Sequence, residues 1–343
     1  MKEIVITDRE AGQRLDKYLQ KYLPQAPKSF FYKMMRKKNI TWNGKRAEGG
    51  EKLKSGDTIR LFLAQETIEK FSGEGKEQVP VKLPEKYFPE IVYEDDQTVI
   101  FNKPVGLLSQ KARPQDISLV EYLIAHMLEN GSITQEELKS FHPSVCNRLD
   151  RNTSGLVLAG KTVKGLQQLS GMLKERTMEK YYLTLVAGVL EKPEKICGYL
   201  VKDEKTNQVR VSRKPLKDGA PIETAYVPLG NNGKATLLKV ELITGRSHQI
   251  RSHLASIGHP VTGDTKYGNT AVNSYYRKRY GLTSQLLHAW QICFPEDCGS
   301  LAQLSGKQIR AKLPGLFQKI LDGEGLKKFM EKSAESQELD GGK

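Results

Sequence analysis

"NRLDRNTSGLVLAG", residues 147 to 160, decides how this chain is read. It sets one carboxylate, Asp150, between Arg148 and Arg151, adds a small polar turn through Thr153, Ser154 and Gly155, and closes on the apolar run Leu156-Val157-Leu158-Ala159. An acid at such a place is either an ordinary turn residue with an ion pair or a group set there for chemistry. Taken alone, the stretch leaves both readings open.

On either side of it, from Ile91 onward, β-rich runs and helices alternate irregularly. "VYEDDQTVIFNKPVGLLSQ" holds two β-rich runs broken at Asn102-Lys103-Pro104, and "EKYYLTLVAGVL", "IETAYVPLG" and "KATLLKVELITG" supply more. "SLVEYLIAHMLE" and "VKGLQQLSGMLKER" carry apolar residues at helical spacing. Without a regular βαβ alternation the expected class is α+β, with a mixed, largely antiparallel sheet. Neither GxxxxGK[ST] nor GxGxxG occurs, so no nucleotide cofactor is expected.

A second dense stretch, residues 243 to 268, brings Arg246, His248, Arg251 and His253 together after a strand, and Gly258-His259-Pro260 then breaks the chain. A helix beginning near Ser247 would carry Arg251 in its first turns and form a cradle for an anion or a buried carboxylate. His248, His253 and His259 have no acid at clear metal-ligand spacing, so no metal is expected.

The first seventy residues read as a compact helix-helix-hairpin unit. Leu15, Tyr18, Leu19, Tyr22 and Leu23 form one apolar helical face. Ser29 stands where an N-cap should before a strongly basic helix that includes Lys33, Arg36, Lys37 and Lys38, and Asn43-Gly44 is a hairpin turn. The expected organisation is a basic domain over residues 1 to 68, a linker over 69 to 90, a larger domain over 91 to 330, and a disordered tail over 331 to 343.

The chain has 343 residues, enough for about two cores. Its formal charge of +14, spread over the whole length, points to a polyanion. No run approaches the ~20 apolar residues of a membrane span. The 4 cysteines form neither a CxxC pair nor a Cys/His cluster, and no apolar signal core opens the chain, so a reduced, cytoplasmic protein is expected. RNA is the expected partner and a monomer the default state.

Two resemblances sharpen this. "RLDKYLQKYLP", "SFFYKMMRKKNITWNGK" and "LKSGDTIRL", in that order, resemble the small RNA-binding module named after ribosomal protein S4. "HPSVCNRLDRNTSGLVLAGKT" resembles the catalytic stretch of the RluA-type RNA pseudouridine synthases. "VYEDDQTVIFNKPVGLLSQ", "EKYYLTLVAG", "GRSHQIRSHLASIGHPVTGDTKYG" and "LLHAWQICFPEDCGS" are similar to the same family's other motifs. With the N-terminal module, the chain looks most like the RluC and RluD subgroup. Asn147 stands where many members have His, and Ser247 where Thr is common.

The resemblance implies isomerisation of uridine to pseudouridine without a cofactor, in large-subunit rRNA first and tRNA second. It implies Asp150 as the reacting carboxylate, with elimination through a glycal as the favoured route, and Arg251 as its cationic partner. Tyr182 is implied as the ring against the uracil. Arg148 becomes a candidate for propping the RNA open where the base leaves its stack, and Arg246 and His248 become RNA-contacting candidates. Two other classes stay in view: a silent RNA-binding assembly factor, and a hydrolase using Asp150 with His248.

Overall fold

The computed structural model describes residues 1–72, 83–203, 206 and 208–330. The chain opens with β1 (Lys2–Val5), α1 (Leu15–Tyr22), α2 (Lys28–Arg36), β2 (Ile40–Trp42), β3 (Lys45–Arg46), β4 (Thr58–Leu61) and α3 (Gln65–Ser72). The strands form one sheet in the order β1-β4-β2-β3, so the expected hairpin is part of a four-stranded sheet. Leu15, Tyr18, Leu19 and Tyr22 of α1 and Phe31 and Met35 of α2 are buried against it, as their helical spacing demands.

Three local expectations need correction. The basic helix starts one residue before Ser29, because Pro27, with φ −66° and ψ 146°, supplies the extended entry without a side-chain cap. The helix ends at Arg36, so Lys37 is its C-cap and Lys38 turns left-handed at φ 60° beyond it. The linker expected from residue 69 begins later, since α3 runs to Ser72, buries Ile68 and packs Phe71 on Phe30 with ring centroids 4.8 Å apart. At its other end, Glu85–Tyr87 forms a short turn and Glu90 already belongs to a strand. Residues 73–82 of that linker and the tail 331–343 lie outside the described residues. The Asn43-Gly44 turn has φ 48° and 72°, the paired positive values that a tight hairpin requires.

The larger unit follows as β5 (Glu90–Glu94), β6 (Thr98–Lys103), α4 (Leu119–Glu129), β7 (Ser144–Val145), β8 (Ser154–Gly160), α5 (Val163–Glu175), β9 (Glu179–Ala187), β10 (Glu194–Asp203) and β11 (Gln208–Ser212). It continues with β12 (Ala220–Asn231), β13 (Ala235–Leu242), α6 (Gln249–Ser256), α7 (Thr270–Tyr280), β14 (Leu287–Cys293), β15 (Gln308–Arg310) and α8 (Gly315–Gly323). Its sheet runs β11-β10-β12-β13-β9-β14-β8-β6-β5, with β15 added to β14 and β7 to β8. The pairing of β8 with β14 is parallel and the other pairings are antiparallel, so the sheet is mixed.

Strand β8 is buried along its full length. Val157 and Ala159 face the core that holds α4, whereas Leu156 and Leu158 face the one that holds α5. A strand covered on both faces reads as a continuous apolar run, which is why Leu156 to Ala159 lacks alternation.

The N-terminal unit rests against the larger one through polar contacts. Lys2 and the Tyr22 hydroxyl both donate to Glu136, at 2.8 and 2.9 Å, and Arg9 reaches Glu137 at 3.3 Å. Ser140 donates to buried Glu10, which also accepts from the Tyr18 hydroxyl at 3.2 Å. The Arg9 carbonyl accepts from the N–H of Val163, the first residue of α5, at 3.0 Å. Among the described residues, no helix is long and apolar enough to cross a membrane.

Gly155 shows how closely the central strands approach. Its φ is +112°, and a Cβ there would sit 2.1 Å from the Ala289 carbonyl oxygen of β14. Gly155→Ala is expected to cost about 2–4 kcal/mol and to lower Tm by roughly 5–15 °C, measured by calorimetry.

Candidate active site

Asp150 lies in the loop that enters β8, and that loop is held from several sides. Asn147 accepts from the Leu158 N–H at 2.7 Å and donates to the Leu156 carbonyl at 3.2 Å, so it clips the loop onto β8. The Ser109 hydroxyl bonds both the N–H and the carbonyl of Leu149, at 3.0 and 3.1 Å, and the Leu149 side chain is buried. Arg151 donates from Nε to the Gly106 carbonyl at 3.0 Å, and the Gly106 N–H donates back to the Arg151 carbonyl at 2.9 Å. Buried Lys103 donates to the carbonyls of Pro104, Leu107 and Arg151, at 3.0, 2.8 and 3.2 Å, which uses all the protons of an ammonium group. Burial pushes the Lys103 amine down to about 7, and the nearby Asp150 charge pulls the other way.

The partner of Asp150 comes from α6. Arg251 donates from Nη1 to Asp150 Oδ2 at 2.7 Å, and from Nε and Nη2 to the two oxygens of Asp264 at 2.6 and 2.8 Å. The Asp264 side chain is fully buried and accepts from the N–H groups of Lys266 and Tyr267 as well. Burial alone would raise its carboxyl, but the Arg251 hydrogen bonds and charge, with the two amides, hold it below its ordinary value. Burial likewise works against the Arg251 charge, and Asp264 and Asp150 together raise its pKa above the ordinary arginine value. The Asp150 side chain is 27% exposed, and its Oδ1 has no hydrogen-bond donor among the described residues.

Two further groups border this carboxylate. His248 Nε2 lies 3.9 Å from Asp150 Oδ1. Tyr182 of β9 is buried on the face of Leu149 and Ala289; burial raises its phenol well above the ordinary value, and the Asp150 charge acts in the same direction. Tyr181 faces the opposite core, bonds Glu179 at 2.9 Å and lies under Lys239, as strand alternation requires.

The structure therefore brings Asp150, Arg251, Tyr182 and His248 together. It does not bring the other candidates into that cluster: Arg148 is exposed on the Asp150 loop, and Arg246 is exposed just ahead of α6. Lys33, Arg36, Lys37 and Lys38 are exposed on and just after α2, without an acidic partner among the described residues. His253 and His259 bond Thr224 and the Ala187 carbonyl instead of converging with His248. Reading the sequence missed Asp264, Tyr267 and Lys103, although "GDTKYG" and "NKPVG" contain all three.

The family model for RNA pseudouridylate synthase matches residues 97–256, and that for the S4 domain matches residues 13–59. The chain belongs to the RNA pseudouridylate synthase family. It is 33% identical to the ribosomal large subunit pseudouridine synthase C of Vibrio vulnificus, over 85% of this chain and 88% of that protein. It is 32% identical to the ribosomal large subunit pseudouridine synthase D of Nitrosomonas europaea, over 84% of this chain and 79% of that one. The solved structure of human RNA Pseudouridylate Synthase Domain Containing 4 shares the fold at 21% identity, with a TM-score of 0.54, covering 68% of this chain and 91% of that chain.

Arg251→Ala leaves Asp264 buried without its cation, and the expected loss at pH 7 is about 3–5 kcal/mol in urea unfolding. In the wild type the lowered Asp264 carboxyl adds stability above the ordinary carboxylate range and loses it as pH falls through its lowered value. The variant lacks that contribution, so the stability gap holds from pH 7 down to about pH 4 and narrows as the medium is acidified below that, toward the lowered Asp264 value.

Proposed function

We propose that this chain converts specific uridines of large-subunit rRNA to pseudouridine, acting as a cytoplasmic monomer, with Asp150 as the reacting carboxylate. The observation that carries this is the asymmetry of Asp150: one oxygen is held by Arg251 and the other is unpaired beside accessible space. The names of the relatives support the rRNA target.

Isomerisation needs the N1–C1′ bond of uridine to break, the uracil to turn, and a C5–C1′ bond to form. In the favoured route Asp150 Oδ1 takes the C2′ proton as uracil departs, leaving a glycal, and returns it when C5 attacks C1′. The C5 proton is then lost and N1 gains one, so the atoms balance. Arg251 holds the other oxygen, Oδ2, and so fixes the direction in which Oδ1 faces, and Tyr182 is the ring that packs against the uracil. Arg148 stands where the extruded nucleotide leaves its stack, and an inserted side chain offsets the unstacking cost. Arg246 and His248 contact the nucleotide's surroundings. Lys33, Arg36, Lys37 and Lys38 bind RNA phosphates.

Purified protein incubated with unmodified rRNA and, separately, tRNA, followed by chemical mapping, tests the reading. Pseudouridine should form in the large-subunit rRNA, and Asp150→Asn should lower the rate by at least about a thousandfold without loss of RNA affinity. Product confined to tRNA would shift the target, while free uracil or cut RNA would mark a hydrolase. Replacing Lys33, Arg36, Lys37 and Lys38 with serine should flatten the plot of log affinity against log salt by about 0.7–0.9 for each phosphate that is no longer neutralised.

A further inference from the structure

Tyr267 meets the cluster in a way that the reaction scheme above does not use. Its hydroxyl oxygen accepts from the Val209 N–H at 2.9 Å and lies 3.0 Å from His248 Nδ1. A phenol has one proton to give, and among the described residues His248 Nδ1 is its one acceptor. With Nδ1 accepting, the proton of the neutral imidazole sits on Nε2.

That nitrogen faces Asp150 Oδ1 from 3.9 Å, too far for a direct hydrogen bond. The N–H is therefore not consumed by the carboxylate, and both atoms border the same space. His248 also holds φ 54° at the start of α6, a left-handed conformation that is costly for a side chain of this kind and fixes where the ring projects. Burial lowers its pKa, with Arg251 and Lys266 acting in the same direction and Asp150 and Asp264 against it. A neutral donor can hold an incoming oxygen without pairing with Asp150 and blunting its reactivity.

We propose that Tyr267 is a positioning residue that fixes His248 in its Nε2–H tautomer, and that His248 donates this N–H to a ribose or uracil oxygen of the target uridine over Asp150. The second half rests on the reading of Asp150 as the reacting group; the first half does not. The Tyr267 ring is placed independently of its hydroxyl: the Arg251 guanidinium lies over it at 5.3 Å and the His248 ring meets it edge-on at 5.7 Å. Tyr267→Phe keeps both ring interactions and removes the hydroxyl that donates to His248.

Long-range ¹⁵N NMR of the histidines in the full-length protein should show His248 as the Nε2–H tautomer in the wild type and as a mixture in Tyr267→Phe. Turnover on the modified RNA should fall about three- to tenfold in kcat for Tyr267→Phe, with KM unchanged. His248→Asn suits the left-handed backbone and lacks the distal N–H; it should lose at least as much, and adding Tyr267→Phe to it should cost nothing more. An Nδ1–H signal in the wild type, losses that multiply in the double variant, or full turnover in both single variants would overturn the proposal. Pseudouridine formation that survives Asp150→Asn would instead overturn the reading of Asp150, while the tautomer result would still decide the role of Tyr267.

Discussion

Arg251 is a cation shared by two carboxylates, and the geometry around Asp150 depends on it. A guanidinium buried this deeply must have its donors satisfied, and its planar fork does so by a two-point grip on Asp264 and a single bond to Asp150. Asp264 is fully buried and held by two backbone amides, so it sets the orientation of the fork. Asp150 receives what remains: one donor, on one oxygen. Asp150 is also the more accessible of the two acids, and its second oxygen has no donor among the described residues.

The sheet delivers these groups from different parts of the chain to one place. Strands β9, β14, β8 and β6 are neighbours, and they bring Tyr182, the Gly155–Ala289 contact, the Asp150 loop and Lys103 side by side. The register of β14 on β9 slips between Ala289 and Gln291, opposite Tyr182 and Tyr181. Bulges of this kind re-aim side chains beside working sites. Where β14 lies against β8, Gly155 lacks the Cβ that would block the approach, and the Asp150 loop begins just ahead of it.

The legible parts of the sequence were those whose cause is local. The helix over "SLVEYLIAHMLE" and the turn at Asn43-Gly44 follow from short-range rules, and the observed α4 and hairpin obey them. Asp150 and Arg251 were legible through motif order, although 101 positions separate them. Lys103, Asp264 and Tyr267 stood inside quoted motifs without a role, because each acts through a fold contact that no spacing encodes. Arg151 is similar: beside Asp150 it looks like an electrostatic partner, yet its guanidinium is spent on the Gly106 carbonyl. The early end assigned to the N-terminal unit arose because Ile68 and Phe71 sit among charged residues, and only their packing on Phe30 and its neighbours reveals a helix.

The contact between the two units bears on how RNA binding and chemistry are joined. It is made by ion pairs and hydrogen bonds around Glu10, Glu136 and Glu137, and such polar interfaces within a chain are held less firmly than apolar ones. Burial would raise the Glu136 carboxyl, but Lys139, Lys2 and Tyr22 hold it down at about 2, so the contact stays intact across the neutral range. The point of attachment matters as much as its strength. The Arg9 carbonyl receives the first N–H of α5, and α5 packs through Leu169 and Met172 on Leu156 and Leu158 of β8. The basic N-terminal unit is thus anchored to the strand and helix that immediately follow the Asp150 loop. The N-terminal unit is thereby seated against the unit that carries Asp150, instead of hanging at the end of a free tether.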